Sequence, residues 1–525
     1  MAAPEPLTSY DEVPYESHSY AQCHPSRLFT IATLFGLRPS PLDRCRVLEL
    51  GSASGGNVVP MAEAFPGSEF VGIDFSARQI SDGQRLLDEA SLKNVQLRHS
   101  SITEVDESYG KFDYILCHGV FSWVAPAVQE KILQICERQL TPNGVAYVSY
   151  NTYPGWYLRG ATRDLMRYHS SRFASPKERT RQARAFLDFM AESVSQDGSP
   201  YSLLLRRELD VLRHHGDHYV YHEHLEEVND PLYFHEFVER AEAHGLRYLG
   251  EARLPMMVPS NFAPDVAKAL KVLATDQIQT EQYMDFLRNR MFRETLLVPA
   301  RSNPTWVIRP ERLHDLHIGC GSRVDEDAKS TNAADAVKFV TPSGAAISTA
   351  SPLIKAALNI LIEEWPRTLP FHDLLQRVAA VVPVPEKSNA AEFAGALATG
   401  LVHIYSSSDL IELQGHAIEC VKEAGEKPRA MSYARVRARH GLSVANLRHE
   451  VMRLTDLERQ LLPLLDGNHS RSELIEALSR KGAAGELRIE RNRRALTEAA
   501  EIAAVLEAVL PQALKSLAMQ ALLVR

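Results

Sequence analysis

The stretch VLELGSASGGN, residues 47–57, decides how the rest of the chain is read. Val47, Leu48 and Leu50 surround Glu49 in a short apolar run of the kind that forms a buried strand. Gly51, Gly55 and Gly56 follow at once, and an apolar helical pattern starts at Val58. A glycine-rich turn between a first strand and a first helix lets the backbone approach a bound nucleotide. The spacing then discriminates among nucleotides. A dinucleotide site calls for G-x-G-x-x-G, and Ala53 stands where that fingerprint needs its second glycine. The chain reads E-x-G-x-x-x-G-G instead.

Outward from this turn, strand and helix patterns alternate. Apolar runs fall at Phe70–Ile73, Val95–Leu97, Tyr114–Cys117 and Val145–Val148, with helical patterns near Val58–Ala64, Ala77–Ala90 and Pro126–Gln139. This predicts an α/β fold with a Rossmann-like core: a mostly parallel sheet with helices on both faces, over residues 1–156. A charged helical insertion, 157–232, interrupts it. The pattern resumes over 233–299 with a helix (Tyr233–His244), a run at Leu246–Leu249, a second helical insert (Pro264–Asn289) and the strand-like RETLLV, 293–298. These last runs are expected to close the same sheet. Residues 300–418 mix helices with short strands, among them LVHIYSSSDLIEL (401–413), and suggest a winged-helix-like unit. EAGEKPRA has the composition of a linker, and 431–525 is expected to be mostly helical.

In an open sheet of this kind a ligand crevice forms outside the carboxyl ends of the strands. Asp74 ends the second strand, where an acid can accept ribose hydroxyl protons, and Phe75 follows it as a partner for a flat ring. The fifth strand runs into SYNTYPGW, 149–156. Turn chemistry explains Asn, Pro and Gly there but not the aromatics.

The glycine loop resembles the first motif of Rossmann-type S-adenosylmethionine (SAM) methyltransferases, in which the loop wraps the methionine end of the cofactor. The resemblance extends over about residues 9–298, through SYDEVPYES, HPSRLFTIATLFGL, LELGSASGGN, FDYILCHGVFSWV, GVAYVSYNTYPGW, YVYHEHLEEVNDPLYFHEFVERAEAHGLRYLGEA and QYMDFLRNRMFRETLL. It is a resemblance to bacterial class I methyltransferases that carry a methyltransferase regulatory domain, and to those that modify lysines of outer-membrane proteins. It implies SAM as cofactor, a homodimer, and a protein or peptide substrate. It also implies cofactor contacts from Glu49, Gly51, Ala53, Gly55, Asn57, Asp74 and Phe75, from Ser101 and Ile102 after the third strand, and from His118 and Gly119 after the fourth. Many relatives place an acid where this chain has Ser101. The segment holding Tyr10 and Tyr15 corresponds to an N-terminal lid.

Methyl transfer to an amine requires alignment, exclusion of water and a neutral nucleophile. A dry aromatic channel favours the neutral amine and attracts the methylated ammonium. Tyr150, Asn151, Tyr153 and Trp156, with Phe121 and Trp123 beside them, are the candidates for such a channel. Of the histidines in HHGDHYVYHEH, 214–224, His222 and His224 with Glu223 are candidates for the pocket wall, and no metal site is expected. The alternatives are a methyltransferase for a small molecule or peptide natural product, and a non-catalytic binding protein built on the same fold.

Composition narrows the setting. At 525 residues the chain exceeds one core, and 45% hydrophobic with 24% charged residues is ordinary for a globular protein. Six scattered cysteines without a CxxC pair point to a reducing compartment, and no leader or apolar spanning run is evident, so a cytoplasmic location without membrane insertion is expected. A net charge of −8 weighs against a general nucleic-acid binder. Residues 431–525 carry 15 Lys and Arg against 11 Asp and Glu, in short clusters such as ARVRARH and RIERNRRA, which read better as solvated helix faces than as a nucleic-acid surface.

Overall fold

The structure, a computed structural model, describes residues 9–194, 198–325, 335–383, 389–491 and 494–525. At its centre is a seven-stranded sheet of β1 (Arg46–Leu50), β2 (Glu69–Asp74), β3 (Val95–His99), β4 (Phe112–Cys117), β5 (Leu140–Asn151), β6 (Leu246–Glu251) and β7 (Phe292–Pro299). Their order is β3-β2-β1-β4-β5-β7-β6. The first five strands pair in parallel, and β7 lies antiparallel to both its neighbours. Strand order reverses between β1 and β4, so a crevice opens at the carboxyl ends of these two strands. Alternation along β1 explains its sequence. Leu48 and Leu50 enter the core on one face, while Val47 enters the core on the other face, which it shares with Glu49.

The last two strands surround a buried charge cluster. Arg293 of β7 is fully buried; its Nε donates to Asp285 Oδ2 (2.7 Å) and its Nη1 to Glu251 Oε1 and Glu281 Oε2 (both 3.1 Å). Its guanidinium lies 3.5 Å from the ring centroid of Phe234. Here RETLLV departs from apolar alternation because helix Gln277–Arg288 supplies the counter-charges.

Helices Gly155–Ser170, Pro176–Ser193 and Pro200–Arg213 form their own small core with Val220, Tyr221 and Leu225. On the other side, helix Pro25–Leu34 joins the sheet to the middle unit. Ser26 Oγ donates to Gln414 Oε1 (2.6 Å), and Arg27 Nη1 donates to the Tyr405 hydroxyl (2.8 Å). The middle unit contains helices Pro352–Glu364, Phe371–Val381 and Ala390–Ser407, and a three-stranded sheet of His317–Gly319, Leu369–Pro370 and Glu412–Gln414. LVHIYSSSDLIEL, expected to be strand-like, is therefore mostly the end of a helix. Its buried Leu401, Ile404 and Tyr405 recur at helical rather than alternate spacing.

The C-terminal unit combines helices Ser432–His440, Arg471–Ala483 and Ala499–Met519 with paired short strands. Part of ARVRARH meets the Rossmann core: Arg439 lies 3.4 Å from Glu89, and the amides of Ser432 and Tyr433 at the head of that helix donate to Glu63. RIERNRRA crosses residues 492–493, which lie outside the described residues. Helix Ala499–Met519 has the length and hydropathy of a membrane span, which qualifies the expectation that no run reaches that length. It buries Ile502, Leu506, Leu510, Leu514 and Leu517 in the core of its unit.

Replacing Arg293 by Met leaves Glu251, Glu281 and Asp285 to share Arg290 alone. The expected cost is about 3–5 kcal/mol, read by calorimetry as a lower midpoint for unfolding of the catalytic core.

Candidate active site

The crevice at the strand tips is a cavity of about 460 Å³. The glycine loop forms its floor. Gly51 and Gly55 have φ of 77° and 80°, and Ala53 joins them at 47°. A Cβ on Gly51 would meet Val120 Cγ2 at 2.5 Å, so the turn closes only on glycine. The Ala53 amide donates to Asp74 Oδ2 and the Ser76 amide to Asp74 Oδ1, both at 2.8 Å. Each charge-assisted bond is worth roughly 1.5–3 kcal/mol, so Asp74 holds the loop as well as facing the cavity. Burial raises the Asp74 pKa, opposed by the two amides.

Glu49 lies deeper. Asn57 Nδ2 donates to its Oε1 (2.6 Å), while its Oε2 is buried without a partner. Burial pushes this carboxyl up to about 7, against the Asn57 bond and with the help of the Asp74 charge. Asn57 Oδ1 in turn accepts from the Tyr20 amide (2.9 Å) and from His449 Nε2 (2.7 Å) of the C-terminal unit. At the tip of β4, His118 Nδ1 lies 2.9 Å from the Tyr147 hydroxyl, and burial lowers its pKa to about 4, so the ring is neutral. The Tyr20 ring covers it at 4.0 Å. Gly119, at φ 68°, faces open space.

These groups suit a cofactor with an ammonium, a ribose and a flat base. An unpartnered buried carboxylate oxygen at Glu49 fits the ammonium. Asp74 keeps a free lone pair on each oxygen for hydroxyls, and Phe75 and Ile102 form apolar wall beside it. Tyr15, Glu49, Gly51, Ala53, Asn57, Asp74, Phe75, Ile102, His118 and Gly119 all border the cavity. Gly55 instead backs the loop, where a Cβ would strike Val59 at 2.8 Å. Ser101 is not on the wall: its hydroxyl caps the turn Ile102–Glu104 in a capping box with Glu104.

The acceptor candidates divide by geometry. Asn151, Trp123 and Trp156 border the cavity, with the two indoles packed edge to face at 5.9 Å. Asn151 Nδ2 donates to Asn229 Oδ1 (2.8 Å). Tyr150 does not reach the cavity. Strand alternation sends it with Ala146 and Val148 into the core, stacked at 4.1 Å on Phe237, while Tyr147, Ser149 and Asn151 take the other face. Phe121 is buried in that core too. Tyr153 stacks on Tyr157 at 4.1 Å, off the cavity wall, because helix Gly155–Ser170 starts between it and Trp156. His222 and Glu223 border the cavity. His224 is buried against Glu208 instead, at 2.6 Å.

Sequence reading missed Arg159, Tyr219, Tyr20 and Met291, which also line the cavity. Arg159 lies one helical turn after Trp156, a spacing that could have pointed to it. Tyr219 and Met291 come from distant segments and carry no local signal.

Known families and structures resemble this chain. A "Methyltransferase domain" family model matches residues 42–182, a "Predicted methyltransferase regulatory domain" 216–299, and a "PKMT, C-terminal winged helix domain" 426–522. Uncharacterized protein RP789 of Rickettsia prowazekii is 35% identical over 523 residues, spanning 98% of this chain and 93% of that one. The solved structure of PKMT2 from Rickettsia typhi superposes with a TM-score of 0.86 at 30% identity, over 97% of this chain and 100% of that one. The chain belongs to the PKMT family of SAM-dependent methyltransferases. PKMT2 from Rickettsia typhi in complex with AdoHcy matches with a TM-score of 0.85 at 31% identity, over 98% of this chain and 100% of that one. The winged-helix match falls on the C-terminal unit, whereas the sequence pattern suggested that architecture for 300–418.

Two measurements test the assignment of the cofactor end. Asp74→Ala frees two loop amides and removes the hydroxyl acceptor, so calorimetric SAM affinity should fall at least about a hundredfold, while Trp156→Ala keeps affinity and loses turnover. If Glu49 must be ionised to receive an ammonium, SAM affinity should drop as pH falls below about 7, by up to about tenfold per pH unit. Glu49→Gln should flatten that profile.

Proposed function

We propose that this methyltransferase methylates the side-chain amine of lysine in a protein substrate. The observation that carries the reading is that Trp123, Trp156 and the Asn151 amide border the same cavity as Glu49, Asp74 and the glycine loop. Bound SAM would supply an activated methyl group on a sulfonium. Glu49, Asp74 and the glycine-loop backbone would hold it. The indoles and the lid tyrosines would strip water from an incoming alkylammonium, which disfavours its charged form. Their faces would also hold the methylated product. The lid carries part of this work, since Tyr15 borders the cavity and Tyr10 stacks on His222 at 4.5 Å.

Further support comes from likeness over nearly the whole chain to PKMT2, where PKMT denotes a protein lysine methyltransferase. Large units beyond residue 300 suit a macromolecular acceptor better than a small one. The test is incubation with methyl-labelled SAM and a heat-denatured outer-membrane protein, followed by acid hydrolysis and chromatography. Label should co-elute with methylated lysine. Label only in another residue, or only in small molecules, would refute the reading.

A further inference from the structure

Four carboxylates border the cavity: Glu16, Glu49, Asp74 and Glu223. Three are already engaged. Glu16 meets His18 at 3.2 Å, Glu49 Oε1 accepts from Asn57, and both Asp74 oxygens accept loop amides. Glu223 accepts no hydrogen bond from any described residue, although it is only half exposed at most and lies among polar neighbours. The cation nearest to neutralising it is committed elsewhere: Arg159 Nε donates to Glu208 Oε1 (3.2 Å) and its Nη2 to the Tyr219 hydroxyl (2.6 Å). The adjacent His222 is spent as well, between Glu226 Oε1 (2.8 Å) and the Val13 carbonyl (2.6 Å).

The backbone sets this carboxylate apart. Residues Tyr221–Leu225 form a π-helical turn, a rare conformation that is frequent at functional sites. It places His222 and Glu223 together on the cavity wall, under the lid, while His224 turns to Glu208. Glu223 shares the cavity wall with Tyr10 and Tyr15 of the lid segment, with Tyr20 and with Tyr219. A carboxylate without a hydrogen-bond donor among the described residues, on a cavity wall shared with those phenol rings and Trp156, has the chemistry of an alkylammonium receptor.

We propose that Glu223 is the catalytic carboxylate that receives the acceptor's ammonium group and takes its proton before methyl transfer. This rests on the amine reading of the site. In the first step one N–H bond of R–NH3+ breaks and the proton passes to the carboxylate, giving R–NH2 and a neutral carboxylic acid. The nitrogen lone pair then forms the N–C bond, the C–S bond breaks with its electron pair left on sulfur, and the product is R–NH2CH3+ beside a thioether. The proton on Glu223 leaves to water when the lid opens. Burial raises the Glu223 pKa, with Glu208 acting the same way and Arg159, His222 and Arg163 opposing. A carboxylate so placed is a stronger base than an exposed one, which suits proton abstraction from an amine.

The test uses the full-length enzyme and Glu223→Gln. Calorimetry with AdoHcy should give the same affinity for both within twofold, which also reports folding. n-Butylammonium titrated into the AdoHcy complex should bind the wild type and bind Glu223→Gln at least tenfold more weakly. Wild-type binding of n-butylammonium should fade as pH falls through the raised pKa of Glu223, and the variant should lack that limb. Turnover on the methylated protein should fall about a hundredfold in the variant, with partial recovery in Glu223→Asp. Equal butylammonium affinity in wild type and variant would overturn the proposal. So would a loss of AdoHcy affinity, which would assign Glu223 to the cofactor. Failure to find methyl-lysine with the wild type would refute the lysine reading alone, because butylammonium binding needs no turnover.

Discussion

The side-chain amide of Asn57 fastens together three parts of the chain: the first strand, the N-terminal segment and the C-terminal unit. It donates to Glu49 on β1 and to Cys23, and its carbonyl accepts from Tyr20 beside the lid and from His449 of the C-terminal unit. The residue is buried at the head of the helix that follows the glycine loop. Leaving any of these buried groups unpaired costs about 1–3 kcal/mol, so loop, lid and distal unit settle into one arrangement. The loop can then hold Ala53 at a positive φ between two glycines and still be rigid, because its ends are tied on both sides.

That constraint also organises the electrostatics of the crevice. Tying Glu49 through one oxygen leaves the other free, and Asp74 is fixed by two amides at the rim. The cofactor end is thus anionic and pre-formed. The part of the cavity around Trp156 is built differently. Its walls are indole and phenol rings carried by the lid, by helix Gly155–Ser170 and by the π-helical turn, with one carboxylate among them. Water excluded by those rings strengthens every polar contact inside. Methyl transfer needs little else from a protein: a held donor, a deprotonated acceptor and a dry line between them.

The accessory units are physically continuous with this machinery. The middle unit shares one hydrophobic core with the face of the sheet that carries Val47 and Tyr147. The C-terminal unit touches both the loop, through His449, and the helices behind it, through Ser432, Tyr433 and Arg439. His449 is held neutral by burial, its pKa lowered to about 3, so this contact is a plain hydrogen bond that does not titrate near neutrality.

The strands were legible in the sequence because nearly all are short apolar runs beside helical patterns, β7 carrying charge as well, and the loop because its glycines at 51 and 55 mark positive φ. The residues at the crevice followed, since a strand's carboxyl end is a fixed address that local sequence reveals: Glu49, Asp74 and Gly119 border the cavity where the pattern put them. The aromatic wall of the cavity was legible only in part. Asn151 and Trp156 were found, but Tyr150 and Tyr153 share their sequence neighbourhood and face elsewhere, one by strand alternation and one by the entry angle of the next helix. Arg159 and Tyr219 reach the cavity from different helices of one insertion and Met291 from the turn before β7, and the π-helical turn that presents Glu223 leaves no period in the sequence. Local pattern fixes which elements form and where their ends lie; which side chains meet across a cavity depends on how insertions pack over it, and that is settled only by the folded whole.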